Sequence, residues 1–279
     1  MSFIKNGFFS TNEMFSETEM DSLESVIVKL FLSQAKKIGE YSDLVKSIAS
    51  DAKISNKEKL VMIYEAMEET DKEALYQVQK FLSSSHFARE IFSQSFLIKC
   101  AEFMNVDDVE LLLLDGPALF VNRPNTERLL YKWHSEAHYY PKRRNFLNVW
   151  FPIFVDKTKE NGTMSFKVGS HKKDFPFSEY SGYNKDSENK ANYFLQYEIP
   201  SNFLKDYDEY FCEVKRGGCV LFDRSLVHRS NNNPTNDYSF AIVARVWEHS
   251  NDLTISGSMS ATPYGGDVGR SNLIVSENI

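Results

Sequence analysis

A chain of 279 residues with 42% hydrophobic content, 22 Phe and 14 Tyr carries enough apolar side chain to bury a sizeable core, which excludes a disordered polypeptide. Its net charge of −7 excludes a general nucleic-acid binder, which needs a basic face. Three scattered cysteines (Cys100, Cys212, Cys219) with no CxxC spacing fit a reducing cytoplasm better than a disulfide framework. No basic, apolar, small-residue signal pattern opens the chain, and no apolar run approaches the roughly 18–20 residues of a membrane span. A cytoplasmic protein with no membrane partner is the expectation.

Residues 3–10 read as a short apolar strand or lead-in. Ser16-x-x-Glu19 is a capping box, in which side chains satisfy two orphan helix donors reciprocally. Met20, Leu23, Ile27, Leu30 and Phe31 follow at helical spacing and predict a helix over about 17–37. A second box, Ser55-x-x-Glu58, opens a helix with Leu60, Ile63, Tyr64 and Met67 on one face. Asp71 starts a third, carrying Leu75, Val78, Phe81 and Leu82, and a fourth covers about 87–104. These stripes read as packing faces.

The pattern changes after Asp107. Val109–Leu114 is an apolar run punctuated by Gly116-Pro117. Short β-branched and aromatic runs then recur at 129–133, 146–155, 164–168, 193–199, 219–222 and 240–247. Turn signals stand between them at Asn161-Gly162, Gly217-Gly218 and Asn231-Asn232-Asn233-Pro234. Many short strands with little helix between them predict a sandwich or jelly roll. The polar stretch 174–192 reads as a long surface loop, and the Gly- and Ser-rich 256–269 as a lid or loose tail. With no repeat and no linker, the expectation is one domain over 1–279. It divides into helices over about 1–107, a β-core over about 108–250 and a tail over 251–279.

The chemistry concentrates in Trp133-His134-Ser135-Glu136-Ala137-His138-Tyr139-Tyr140-Pro141. Read as an extended strand, this stretch projects His134, Glu136 and His138 from one face. A His-x-Glu pair supplies two adjacent vertices of a metal site, and a distant histidine completes the facial triad that holds non-heme Fe(II) with open positions. His228 is the best third ligand, because it follows a Gly217-Gly218 turn and the apolar strand 219–222. His86, His171 and His249 lie in less suitable places. His138 is either a further ligand, as in a cupin-type metalloenzyme, or part of the pocket lining. Tyr139 and Tyr140 stand on substrate or core. Lys142-Arg143-Arg144 follows the site closely, as a solvated basic turn or as a means of attracting an anionic small-molecule substrate. The cysteines have no base partner in view and read as buried small residues.

Four blocks in order carry a resemblance. Residues 133–141, then Asn148-Val149-Trp150, then Glu160-Asn161-Gly162-Thr163-Met164 with Gly169-Ser170-His171-Lys172 form the first three. The fourth joins Gly217–Phe222 to Leu226-Val227-His228-Arg229-Ser230. Together they resemble the phytanoyl-CoA dioxygenase-like family of Fe(II)/2-oxoglutarate oxygenases, and Asn6-Gly7-Phe8-Phe9 is similar to its N-terminus. The likeness covers about 130–246 well and 1–30 loosely, leaving about 35–110 as a helical elaboration.

That resemblance implies an α+β fold, a double-stranded β-helix (jelly-roll) core with the helical N-terminal region packed on it. It implies Fe(II) held by His134, Glu136 and His228, and hydroxylation of a small molecule as 2-oxoglutarate and O2 become succinate and CO2. Glu136 replaces the family's usual Asp, and with a carboxylate in place a halogenase is not implied. The family's usual clamp on the distal carboxylate of 2-oxoglutarate is an arginine eleven residues beyond the distal histidine. Here that position is Ser239. Arg245, of the same strand parity, is the nearest stand-in, with Lys132, Arg143, Arg144 and Lys167 as other cations, and Asn148 is a hydrogen-bonding candidate for the co-substrate. The missing arginine keeps two alternatives open: a metalloenzyme that does not use 2-oxoglutarate, and a non-catalytic binding protein on a degenerate oxygenase scaffold.

Overall fold

The structure, a computed structural model, describes residues 3–70, 75, 77–79, 82, 92, 94–125, 130–141, 145–182 and 194–248. A short helix, α1 (Phe3–Asn6), leads into strand β1 (Phe8–Thr11). Helix α2 (Glu17–Lys37) begins at the predicted capping box: the Ser16 amide donates to Glu19 Oε2 at 2.7 Å, and the Glu19 amide donates to Ser16 Oγ at 3.3 Å. Helix α3 (Ser42–Ser50) follows, a segment whose short length and missing cap box hide it from pattern reading. The second box opens α4 (Asn56–Thr70), and α5 (Gln94–Met104) matches the end of the fourth expected helix. Leu75, Val78 and Leu82 are buried as their stripe predicts. Phe81, the start of the fourth helix and the 256–269 tail lie outside the described residues, as does 183–192 within the expected loop.

Strand β2 (Leu112–Asn122) runs straight through Gly116-Pro117, where the sequence suggests a break. On the neighbouring strand the register jumps from Val243↔Ala118 to Arg245↔Asp115. Two residues, Gly116 and Pro117, therefore face Ala244 alone, which is a β-bulge. A proline lacks an amide donor, and it is tolerated here because the bulge sits on an edge strand. The remaining elements are β3 (Phe146–Ile153), β4 (Met164–Lys167), β5 (Ser178–Gly182), β6 (Phe194–Glu198), β7 (Glu209–Phe211), β8 (Cys219–Asp223), β9 (His228–Ser230) and β10 (Ser239–Glu248). A helical turn, α6 (Glu136–Tyr139), precedes β3.

A five-stranded sheet has the order β1-β8-β3-β10-β2, a three-stranded sheet the order β7-β4-β9, and β5-β6 form a hairpin. Strand alternation gives the large sheet two faces with different neighbours. Leu147, Val149, Phe151, Ile153, Leu221, Phe240, Ile242 and Val246 pack against the helices in one apolar core. Trp150, Val220, Phe222 and Ala241 turn the other way and pack with Phe166 of β4 and with Cys212 and Val214. Asn148, Ser239 and Arg245 share this inner parity, so three polar side chains of a largely apolar sheet are set between the two sheets.

Several polar contacts lock the helices to the sheets. Arg216 donates to Glu24 at 2.8 Å and Asp21 at 2.5 Å, and also reaches Glu17. Glu24 Oε1 additionally accepts the Phe154 amide at 2.5 Å. Phe154 has φ +66°, a left-handed conformation rarely taken by a bulky residue, which Glu24 holds from α2. The 217–218 turn requires glycine. Gly217 has φ +87°, and a Cβ on Gly218 would meet the Thr11 carbonyl oxygen at 2.5 Å.

Candidate metal centre

The predicted strand over 133–141 does not form. Residues 130–133 are irregular, and His134 makes one antiparallel bridge to His228, each amide donating to the other's carbonyl at 2.9 Å. Ser135 is extended (φ −126°, ψ 150°), and the chain then coils into α6, whose Ala137 amide is held by the Arg224 carbonyl at 3.0 Å. Helical geometry swings His138 away from the face that His134 and Glu136 share. The bridge gives the physical reason: once His134 is paired with His228, β9 has too few residues to carry a longer strand alongside it.

His134, Glu136 and His228 come together, all buried, with one donor atom of each within 4.8 Å of the others. His134 Nδ1 meets the Lys132 carbonyl at 2.7 Å, and His228 Nδ1 meets the Leu226 carbonyl at 3.0 Å. Each Nδ1 therefore carries the proton, and each Nε2 presents its lone pair inward. Both Nε2 atoms stand 3.9 Å from Glu136 Oε1. Burial, reinforced by His228, pushes the His134 pKa down to about 3. Burial, reinforced by Arg245, pushes that of His228 down to about 4. Both rings are neutral at neutral pH, the state a metal ligand needs. Two neutral imidazoles and one carboxylate oxygen on one side of a small gap suit a divalent ion such as Fe(II).

Arg245, the stand-in expected for an arginine at position 239, is engaged elsewhere. Its Nε and Nη2 both donate to Glu136 Oε2, at 3.0 and 2.9 Å, and its guanidinium stacks 5.1 Å from the Tyr140 ring centroid. Arg245 thus orients the carboxylate and leaves Oε1 for the imidazoles. Asn148 is paired in register with both Arg245 and Phe222, and neither buried atom of its amide has a hydrogen-bond partner.

His138 stacks on Phe177 at 4.1 Å, and its pKa is lowered by burial. Tyr139 packs edge-on against both His134 (5.7 Å) and Tyr197 (4.8 Å), so the β5-β6 hairpin brings an aromatic wall to the triad. Tyr140 lies behind the site on Arg245 and Phe146. Arg143 and Arg144 lie outside the described residues, as do His86 and His249. Among the other cations considered, Lys132 pairs with Glu198 at 2.6 Å, and Lys167 donates to the Tyr207 carbonyl at 3.2 Å. The Gly-Ser-His-Lys block braces the distal histidine: Ser170 Oγ accepts the Val227 amide at 2.9 Å, and the His171 ring meets the Ile4 carbonyl at 3.2 Å.

Ser239 has a neighbour the sequence does not reveal. Lys157, fully buried, places Nζ 2.6 Å from Ser239 Oγ and also donates to Asn122 Oδ1. Within Asp156-Lys157-Thr158-Lys159 it reads as one residue of a solvated turn, and no local pattern distinguishes it.

The architecture is a mixed helix and antiparallel-sheet fold with a buried His-Glu-His constellation between its sheets. A profile described as phytanoyl-CoA dioxygenase matches residues 3–240, and the chain belongs to that family. Solved structures show the same fold. EctD from S. alaskensis, with bound Fe, is 16% identical with a TM-score of 0.55, covering 87% of this chain and 73% of that one. EvdO2 from Micromonospora carbonacea var. aurantiaca, complexed with 2-oxoglutarate, is 17% identical with a TM-score of 0.51, covering 88% of each. SnoN, an epimerase in complex with Fe3+, alpha ketoglutarate and nogalamycin RO, is 11% identical with a TM-score of 0.51, covering 88% and 80%. Among curated proteins, no relative matches the sequence. Among the described residues, no helix is long and apolar enough to cross a membrane.

Proposed function

We propose that this chain is an Fe(II)/2-oxoglutarate-dependent oxygenase that hydroxylates a small molecule, built as one domain around a jelly-roll core. The observation that carries the reading is the triad. Its two imidazoles are held neutral, with their Nδ1 protons tied to backbone carbonyls, and its carboxylate is oriented by Arg245 with one oxygen directed at both rings. Bound Fe(II) with 2-oxoglutarate supplies the oxidising power for O2-dependent hydroxylation, with succinate and CO2 as co-products.

The chain's own residues supply binding and orientation. His134, Glu136 and His228 would hold the ion. Arg245 keeps Glu136 from rotating, and it offsets the negative charge that would otherwise be buried alone. The unpartnered amide of Asn148, beside Arg245, is positioned to hydrogen-bond a polar group of the co-substrate. Tyr139, Tyr197, Phe177 and His138 form an aromatic wall, partly open to solvent, that faces substrate. Tyr140 backs this wall, and Arg143 and Arg144 are proposed to draw in an anionic group.

The test is anaerobic titration of the Fe(II)-loaded protein with 2-oxoglutarate, watching the weak visible metal-to-ligand charge-transfer band. A saturable band is expected, followed on air by release of succinate. Intact metal binding without a band would sink the reading in favour of a metalloenzyme that does not use 2-oxoglutarate, or a non-catalytic binding protein.

A further inference from the structure

We infer that Lys157 is the anchor for the distal carboxylate of 2-oxoglutarate, replacing from a neighbouring loop the arginine that Ser239 lacks; this rests on the proposed oxygenase reading. Three polar groups converge at one place between the sheets. Lys157 Nζ lies 2.6 Å from Ser239 Oγ and also contacts Asn122 Oδ1, and Asn122 is the residue paired with Ser239 in the sheet register. Asn122 Nδ2 is buried with no hydrogen-bond partner in the structure. Ser239 contributes the third group, its hydroxyl donating to the Asn161 carbonyl at 2.7 Å.

The Lys157 amine and the unpartnered Asn122 amide are donors that a carboxylate accepts, while Ser239 Oγ, its single proton given to Asn161, holds Lys157 in place as an acceptor. Both partners of Lys157 are neutral, among the described residues no carboxylate accompanies it, and burial pushes its pKa well below the ordinary lysine value. A buried lysine normally brings its own counter-ion, because an isolated buried charge is strongly disfavoured. A ligand that carries the negative charge resolves this arrangement.

Position completes the case. Ser239 and Arg245 share the inner face of β10, about 20 Å apart along a straight strand, and Arg245 is engaged with Glu136. The inner-face residues between them are Val243 and Ala241, both small. Arg245 is therefore not available to a carboxylate bound beside Ser239, whereas Lys157 is.

The experiment is the anaerobic charge-transfer titration of Fe(II)-loaded wild type, K157M and the double variant K157M/S239R with 2-oxoglutarate, alongside Fe(II) affinity and thermal unfolding. K157M is expected to weaken 2-oxoglutarate binding on the order of tenfold to a hundredfold, the range of one charged hydrogen bond, with Fe(II) affinity unchanged. S239R is expected to restore the affinity by returning a cation to the position adjacent in space. If K157M does not fold, the double variant decides alone: binding within a few-fold of wild type supports the anchor, and a folded double variant that does not bind overturns it. Unchanged affinity in K157M overturns the inference while leaving the oxygenase reading intact. Absence of binding by wild type overturns both, and is recognised by that arm alone.

Discussion

Arg245 and Glu136 meet through two donors on a single oxygen: Nε at 3.0 Å and Nη2 at 2.9 Å both point at Oε2, while Oε1 stays turned toward the two imidazoles. The carboxylate is therefore divided between two tasks before any metal arrives, one oxygen neutralised by the protein and one available for coordination. Arg245→Met leaves a buried carboxylate without its partner. The expected loss of stability in the metal-free protein is about 3–5 kcal/mol, the cost of breaking a buried pair from one side. Co(II) is expected to recover part of it by supplying the missing positive charge. Urea unfolding with and without Co(II) measures both, and a variant as stable as wild type in the absence of metal would contradict the account.

The three donors and their bystander separate cleanly by substitution. His134→Ala, Glu136→Ala and His228→Ala are each expected to abolish stoichiometric Co(II) binding in calorimetric titration. His138→Ala is expected to retain most of it, because His138 is carried away by α6 and stacks on Phe177. Collapse of binding in His138→Ala would instead favour a four-ligand, cupin-type centre.

Acid should destabilise the metal-free protein through the same two histidines. An unfolded imidazole titrates near 6.5, whereas the folded values are about 3 for His134 and about 4 for His228. Over that interval the unfolded state binds more protons, so stability rises with pH and is lost as pH falls. Their contribution is fully present above about 6.5 and declines progressively as pH falls to about 3. Thermal unfolding across that range should show the slope, and the double variant His134→Gln/His228→Gln should flatten it.

Glu24 on α2 joins distant parts of the chain, accepting from Arg216 and from the Phe154 amide in its left-handed conformation. Glu24→Ala is expected to cost about 3 kcal/mol by stranding a buried amide and a half-paired guanidinium together. Denaturant unfolding tests the magnitude. Co(II) affinity is expected to stay within a few-fold of wild type.

Much of this arrangement could be read along the chain, where neighbouring residues decide the outcome. The Ser16 and Ser55 boxes predicted their helices because a cap is a contact between residues three apart. Strand parity placed Ser239 and Arg245 on one face for the same reason, since alternation is a local property of the backbone. Errors came where a distant partner overrode the local pattern. The 133–141 segment reads as a strand, yet it becomes a single bridge to His228 followed by a helical turn whose Ala137 amide is held by Arg224. Gly116-Pro117 reads as a break, yet β10 accommodates it in a bulge.

Residue type at short or ordered spacing was enough to read the family, the caps and the His134, Glu136 and His228 set from the chain alone. Where each buried cation goes was settled by contacts between distant parts of the chain. Arg245 went to Glu136 and Lys157 to the side of Ser239, across separations of 109 and 82 residues. Charge pairing acts through space in a buried, low-dielectric interior, and nothing in the spacing of residues along the chain encodes it.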